Sequence, residues 1–166
     1  MKVHTLSVLV ENRAGVLSRV AGMFSRRGFN IESLAVGTCE LPEMSRITIT
    51  VLGDDAEIEQ VKKQLNKLID VIKVSDITYR EHIQRELALI KVAANPGSTR
   101  AEVMQIADIF RAQIIDVGTR TLVLQVIGAP NKIDALEKLL RQYGIKELVR
   151  TGTVAVLRGA KTTAGE

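Results

Sequence analysis

One order of hydrophobic periodicities occurs twice within the 166 residues of this chain, and that repeat constrains its fold more than any other feature. Residues 3–11 alternate Leu6, Val8 and Val10 against Thr5, Ser7 and Glu11, with Leu9 as the exception, the period of two expected of a strand with at least one buried face. Val16, Leu17, Val20, Ala21 and Phe24 then follow helical spacing. Gly28, after Arg26 and Arg27, supplies a C-terminal stop with cations on the negative end of the helix. Residues 29–38 read as a second strand, and Ile47, Ile49 and Val51 against Thr48 and Thr50 as a third with one polar face. Gly53-Asp54-Asp55 reads as the turn and cap of a second helix striped by Ile58, Val61, Leu65, Leu68 and Ile69, and residues 71–79 as a fourth strand.

The remainder repeats the order. Residues 86–94 form a strand, Val103, Ile106, Ala107 and Phe110 line a helix, and residues 114–118 and 122–127 are strands. Ile133, Leu136, Leu140 and Tyr143 line a second helix, and residues 148–157 close the unit as one strand. Phe24, Phe29, Asn30 and Ile31 stand 86 residues before Phe110, Ile115, Asp116 and Val117, whereas Gly53, Ile58 and Leu65 stand 75 before Gly128, Ile133 and Leu140. A connection between the second and third strands that is 11 residues shorter would produce this shift. The expected fold is therefore α+β: two ferredoxin-like βαββαβ modules in tandem, each an antiparallel sheet with its helices on one face. Residues 1–80 make the first module and 81–158 the second, and the last eight residues, 159–166, lack apolar content and are expected to form a loose tail.

Composition removes several function classes. The net charge is +4, with no basic run longer than two, which is not the field of a nucleic-acid binder. The βαββαβ order is shared with RNA-recognition modules, but those stack bases on aromatic residues of the third strand. Aromatic residues are only 3% of this chain, and neither 46–51 nor 122–126 contains a ring. The single cysteine, Cys39, cannot form an intramolecular disulfide, which fits a reducing compartment. No apolar run approaches the roughly 20 residues of a membrane helix, and a cytoplasmic protein without membrane or nucleic-acid partners is expected.

Convergent reactive groups are equally scarce. His4 and His82 have no Cys, His or carboxylate at ligand spacing, and the phosphate-cradling and nucleophile-elbow glycine motifs are absent. No catalytic residue and no metal site is expected. The informative segment is Glu11-Asn12-Arg13-Ala14-Gly15-Val16-Leu17, a strand-to-helix turn. A helix N-terminus presents unpaired N–H groups and a positive dipole end that suit a carboxylate. Gly15 allows close approach to the backbone, Asn12 offers both a donor and an acceptor, and Asn30 could complete the polar set. Each residue also has an ordinary reading as a turn or cap residue.

The stretch from Leu6 to Val20, continued by residues 24–34, resembles the ACT domain, and more narrowly the small, regulatory subunit family of acetolactate synthase. The resemblance continues through 45–48, 60–70, 110–117 and 150–155, and so spans nearly the whole chain. It implies an N-terminal ACT domain and a non-catalytic chain that activates a large catalytic subunit and confers feedback inhibition by valine in branched-chain amino-acid biosynthesis. Thiamine diphosphate, Mg and FAD would reside on the large subunit, with no cofactor in this chain. It implies further a homodimer whose ACT modules pair side by side. On this reading Asn12, Ala14, Gly15, Val16 and Leu17 meet the effector from one chain, and Asn30 and Ile31 from the other. The second module carries Asn95-Pro96-Gly97 and Asp116 at the corresponding places. Proline removes a donor and aspartate repels a carboxylate, so effector binding is expected in the first module only. A stand-alone amino-acid-sensing regulator, for instance of transcription, is the alternative; it would need a DNA-reading helix or basic arm, and the sequence shows neither.

Overall fold

In the computed structural model, which describes residues 1–165, the first alternating stretch is a ten-residue strand, β1 (Lys2–Glu11). It is followed by α1 (Val16–Arg27), β2 (Ile31–Thr38), β3 (Met44–Gly53), α2 (Asp55–Asn66) and β4 (Val71–Asp76). The four strands are antiparallel in the order β2-β3-β1-β4. Register decides which side chains share a face: Leu6 opposes Ile49 and Val8 opposes Ile47, and these four are buried beneath Val20 and Phe24 of α1 and Ile58, Val61 and Leu65 of α2. Both helices thus cover one face of the sheet, as the order of periodicities predicts.

The ends of α1 follow local chemistry. Gly28 takes a left-handed φ of 70°, its N–H donates to the Ser25 carbonyl, and the Phe29 N–H donates to the Phe24 carbonyl. This paired closure consumes two carbonyls that the helix would otherwise leave orphaned. It also moves the start of β2 to Ile31, two residues later than expected. At the start of α2 the Asp54 side chain accepts from the Glu57 N–H while the Glu57 side chain accepts from the Asp54 N–H, a reciprocal cap. β4 stops at Asp76, whose carboxylate accepts from both the N–H and the hydroxyl of Thr78 and so turns the chain before residue 79.

The second unit contains β5 (His82–Ala93), α3 (Ser98–Ile109), β6 (Gln113–Val117), β7 (Thr121–Gly128), α4 (Pro130–Leu140), a 3-10 turn (Arg141–Tyr143) and β8 (Ile145–Arg150), with strand order β6-β7-β5-β8. Its core joins Ile90, Val92, Leu122 and Leu124 of the sheet to Val103, Ile133, Leu136 and Leu140 of the helices. Ser98 follows Val16 by 82 positions, as Gln113 follows Ile31, while Gly128 follows Gly53 by 75. The elements are thus offset by 82 rather than 86 before the shortening, which is divided among a shorter β6, a shorter loop and a shorter β7.

The last part of the chain departs from expectation. Residues 148–157 are not one strand: β8 ends at Arg150, Gly152 adopts a φ of 82°, and a separate strand, β9 (Val154–Leu157), follows. One compact unit is Met1–Ile83 together with the chain from Thr153 onward, and the other is Gln84–Gly152. The compact units divide at 83/84 and 152/153, where the sequence reading places 80/81 and 158/159, and Gly152 with its positive φ stands at the point where the chain passes back to the first unit. There the Thr153 N–H donates to Ser33 Oγ at 3.3 Å and Ser7 Oγ donates to Thr163 Oγ1 at 3.3 Å. Residues 159–165 of the expected tail are accordingly tied to β1 through Thr163, and residue 166 lies outside the described residues.

Candidate functional site

The turn that joins β1 to α1 is fixed by backbone hydrogen bonds at both ends. The Glu11 N–H donates to the Asp70 carbonyl at 2.9 Å, the Asn12 N–H to the Glu43 carbonyl at 2.9 Å and the Arg13 N–H to the Glu11 carbonyl at 3.0 Å. Gly15 then adopts a left-handed φ of 84°, which costs an L-residue roughly 1–2 kcal/mol and glycine nothing. No side chain caps α1 and no acidic residue stands in its first turn, in contrast to the double cap of α2. The positive end of α1 thus meets no carboxylate from its own first turn.

Of the residues expected at this turn, Asn12, Ala14 and Gly15 are exposed and Leu17 is 42% exposed. Val16 opens the helical stripe as its spacing predicts: its side chain is buried in the core, and its N–H faces the Arg13 carbonyl at 3.4 Å. A residue absent from the expected set completes the turn. Arg19 reaches back one helical turn, and a Cβ built on Gly15 would lie 2.9 Å from Arg19 Nη1. Arg19 Nε and Nη2 meet Asp70 Oδ2 at 2.8 and 2.6 Å, and Asp70 is itself 6% exposed. Four-residue spacing from Gly15 could have flagged Arg19; no sequence signal links it to Asp70, 51 positions away.

Asn30 and Ile31 lie elsewhere in the chain. Asn30 Nδ2 donates to Glu32 Oε1 at 2.9 Å, and Ile31 opposes Val51 and packs against the core. Val51 opposes His4, whereas the far end of β2, Thr38, opposes Ser45, which opposes Val10. Ile31 therefore sits at one end of the sheet and the Asn12–Leu17 turn at the other, separated by about seven residues of strand or roughly 23 Å. One chain does not bring the two halves of the expected set together.

Two further places hold polar groups. A concavity of about 410 Å³ lies between the β2–β3 hairpin and β9, lined by Thr38, Cys39, Glu40, Arg46, Val154 and Ala155. Arg46 is engaged there by both Glu40 oxygens at 3.0 Å, which holds the Glu40 carboxyl down at about 2. His4 is fully buried, edge-on to the Tyr79 ring and 3.7 Å from Asp55 Oδ1, while His82 Nδ1 contacts the Arg80 carbonyl. Among the described residues, no cluster of three or more His, Cys, Asp or Glu could hold a metal ion, and no helix is long and apolar enough to cross a membrane.

Comparison with known proteins decides the family. The family described as AHAS small subunit-like ACT domain matches residues 6–73, and the one described as small subunit of acetolactate synthase matches residues 85–159. A probable acetolactate synthase small subunit of Archaeoglobus fulgidus is 57% identical over 158 residues, covering 95% of this chain and 98% of the relative. The chain belongs to the acetolactate synthase small-subunit family. The small subunit of Mycolicibacterium smegmatis is 50% identical, covering 95% of this chain and 92% of that one. The crystal structure of the Thermotoga maritima small subunit superposes with a TM-score of 0.87 at 42% identity, covering 97% of this chain and 100% of that chain.

The ACT match encloses the whole Asn12–Leu17 turn together with Arg19 and Asp70. The second match spans the other unit of this small-subunit family member, whose corresponding turn is built differently. Pro96 precedes Gly97 there, and Arg100 turns inward to the carbonyls of Ala94, Gly118 and Thr119. Asp116 is exposed on β6.

Proposed function

We propose that this regulatory small subunit activates a large catalytic subunit of acetolactate synthase and makes it subject to feedback inhibition by valine bound to the ACT module. The observation that carries the reading is the uncapped, left-handed Gly15 turn opening α1. It offers backbone N–H groups and a positive dipole end to a carboxylate, with no acid in the first turn of the helix.

The separation of the two half-sites gives the reading a definite geometry. β2 is an edge strand of the first sheet. A two-fold axis that pairs β2 antiparallel with β2 of a second copy would carry the Asn30 end of one chain to the Thr38 end of the other, the end that bears the turn. Valine would then be held by Asn12, Ala14, Gly15, Leu17 and the backbone at Val16 of one protomer, and by Asn30 and Ile31 of its homodimeric partner. The Pro96 turn supports a role for the second module other than effector binding, as does Ala112, which the offset of 82 places at the position of Asn30 instead of the expected Asp116.

Burial of an isopropyl group contributes about 2–3 kcal/mol and each hydrogen bond to a carboxylate about 1.5–3 kcal/mol, offset by ordering costs. The expected dissociation constant is between micromolar and millimolar. Thiamine diphosphate, Mg and FAD belong to the large subunit on this reading, and this chain contributes binding and regulation in the cytoplasm but no catalysis.

Mixing the purified chain with a large subunit and assaying acetolactate with and without valine tests the proposal. Stimulation by the chain and inhibition by valine are expected, with Gly15→Asp and Asn30→Ala each abolishing the inhibition while leaving stimulation in place. No stimulation and no inhibition would refute the function, and valine inhibition that survives both substitutions would refute the site.

A further inference from the structure

The Arg19–Asp70 pair lies beside the effector turn, and its geometry is unlike that of a surface ion pair. Asp70 is buried in the connection between α2 and β4 and receives two donors of one guanidinium on the same oxygen, at 2.8 and 2.6 Å. Its main-chain carbonyl accepts the Glu11 N–H at the end of β1, so side chain and backbone of one residue hold both flanks of the turn. Nε and Nη2 are consumed by Asp70, which leaves Nη1 as the nitrogen that faces Gly15. The Arg19 side chain is 49% exposed, so this nitrogen is available to a molecule seated at the turn.

We propose that Arg19 is a further binding residue of the effector site: its Nη1, oriented by Asp70, recognises the α-carboxylate of the amino acid together with the first-turn N–H groups of α1. This inference rests on the reading of the turn as the valine site. A guanidinium locked along one edge presents the other edge without further loss of rotamer freedom, which makes it a better carboxylate receptor than a free arginine. The same placement gives Gly15 a second reason to be glycine, since any β-carbon there would displace Nη1. The second module lacks the arrangement: at the offset of 82, Ala101 stands where Arg19 does and Ala112 where Asn30 does, and the neighbouring Arg100 is spent on backbone carbonyls.

Valine binding to the full-length protein, measured by calorimetry for wild type, Arg19→Gln and Asp70→Asn, separates the possibilities. Arg19→Gln is expected to weaken valine at least about ten-fold, the loss of one charge-assisted hydrogen bond. Asp70→Asn keeps the cation, an acceptor oxygen and the carbonyl bond to Glu11 but loosens the lock, and is expected to weaken valine by only about three-fold, clearly less than Arg19→Gln. Equal losses in both variants would mean that the pair only braces the turn, and an unchanged Arg19→Gln would mean that the guanidinium is a bystander; either overturns the inference. Wild type that fails to bind valine at all overturns the underlying site reading as well, and so is told apart from a failure of Arg19 alone. Melting temperatures of the three proteins confirm that each is folded, and Arg19→Lys, which retains the charge, is expected to recover part of the affinity.

Discussion

The Ser33 hydroxyl lies 2.6 Å from Thr50 Oγ1 and accepts the Thr153 N–H at 3.3 Å, joining residues 120 positions apart. Thr50 and Ser33 face away from the helices, on the side of the first sheet that carries Thr5, Ser7 and Thr48. All four of Thr5, Ser7, Thr48 and Thr50 are buried, because the chain from Thr153 onward lies against this face. A row of hydroxyls is suited to such a cover: each can donate or accept, so it can satisfy backbone groups that arrive from outside the sheet.

Ser33→Ala removes the acceptor of the Thr153 N–H and the partner of Thr50, and Thr153 is only 2% exposed. An N–H left buried without a partner costs about 1–3 kcal/mol, so a destabilisation of that size is expected in urea denaturation. The alanine is expected to leave helix content in circular dichroism unchanged, since Ser33 belongs to neither helix.

The helix-bearing face of both modules was legible because its signal is local. Alternation at Leu6, Val8 and Val10, helical spacing at Val20 and Phe24, and Gly28 after two arginines each state a preference that the fold obeys. The covered hydroxyl face was not legible. Thr48 and Thr50 alternate with Ile47 and Ile49 as the solvent side of a strand would, and a period of two carries no information on whether a distant segment covers the polar side. The break that frees this segment did leave a trace, an isolated glycine at position 152 inside a strand-like run. At the site, the turn could be read from Asn12 and Gly15, whereas the place of Asn30 at the other end of the sheet follows from register, which sequence spacing does not encode.

The reciprocal cap between Asp54 and Glu57 gives a prediction about stability alone. Asp54→Ala leaves the Glu57 N–H without its acceptor and is expected to cost about 0.5–2 kcal/mol, read as a shift in the denaturation midpoint. Asp54 follows the end of β3 that opposes Lys2, away from the Asn12–Leu17 turn but on the end of the sheet that carries Ile31. The variant therefore reads helix capping through stability alone.

Glu40 offers a test by pH. Its carboxyl is held down at about 2, against an ordinary 4.5, first by the hydrogen bonds from Arg46. A carboxyl depressed in the folded state contributes stability that is present above its unfolded value and is lost as pH falls from about 4.5 through about 2. NMR titration of the Glu40 side chain is expected to show a midpoint near the lower value, and Arg46→Gln is expected to return it to the ordinary range. A midpoint in the ordinary range in wild type would show that the pair does not persist in solution.

Gly15 and Gly28 flank α1, and a comparison of alanine at each isolates what the Arg19 contact adds. Both have left-handed backbones, at φ values of 84° and 70°, so each substitution incurs a conformational cost of about 1–2 kcal/mol. At Gly28 a new β-carbon meets nothing within 4 Å, and that cost is the whole effect. At Gly15 the β-carbon would stand 2.9 Å from Arg19 Nη1, and the guanidinium must shift while its other two nitrogens are held by Asp70. Gly15→Ala is expected to lose at least as much stability as Gly28→Ala and to weaken valine binding and valine inhibition of the reconstituted enzyme the more. If Gly15→Ala left the valine response intact, the place given to Gly15 in the site would be wrong.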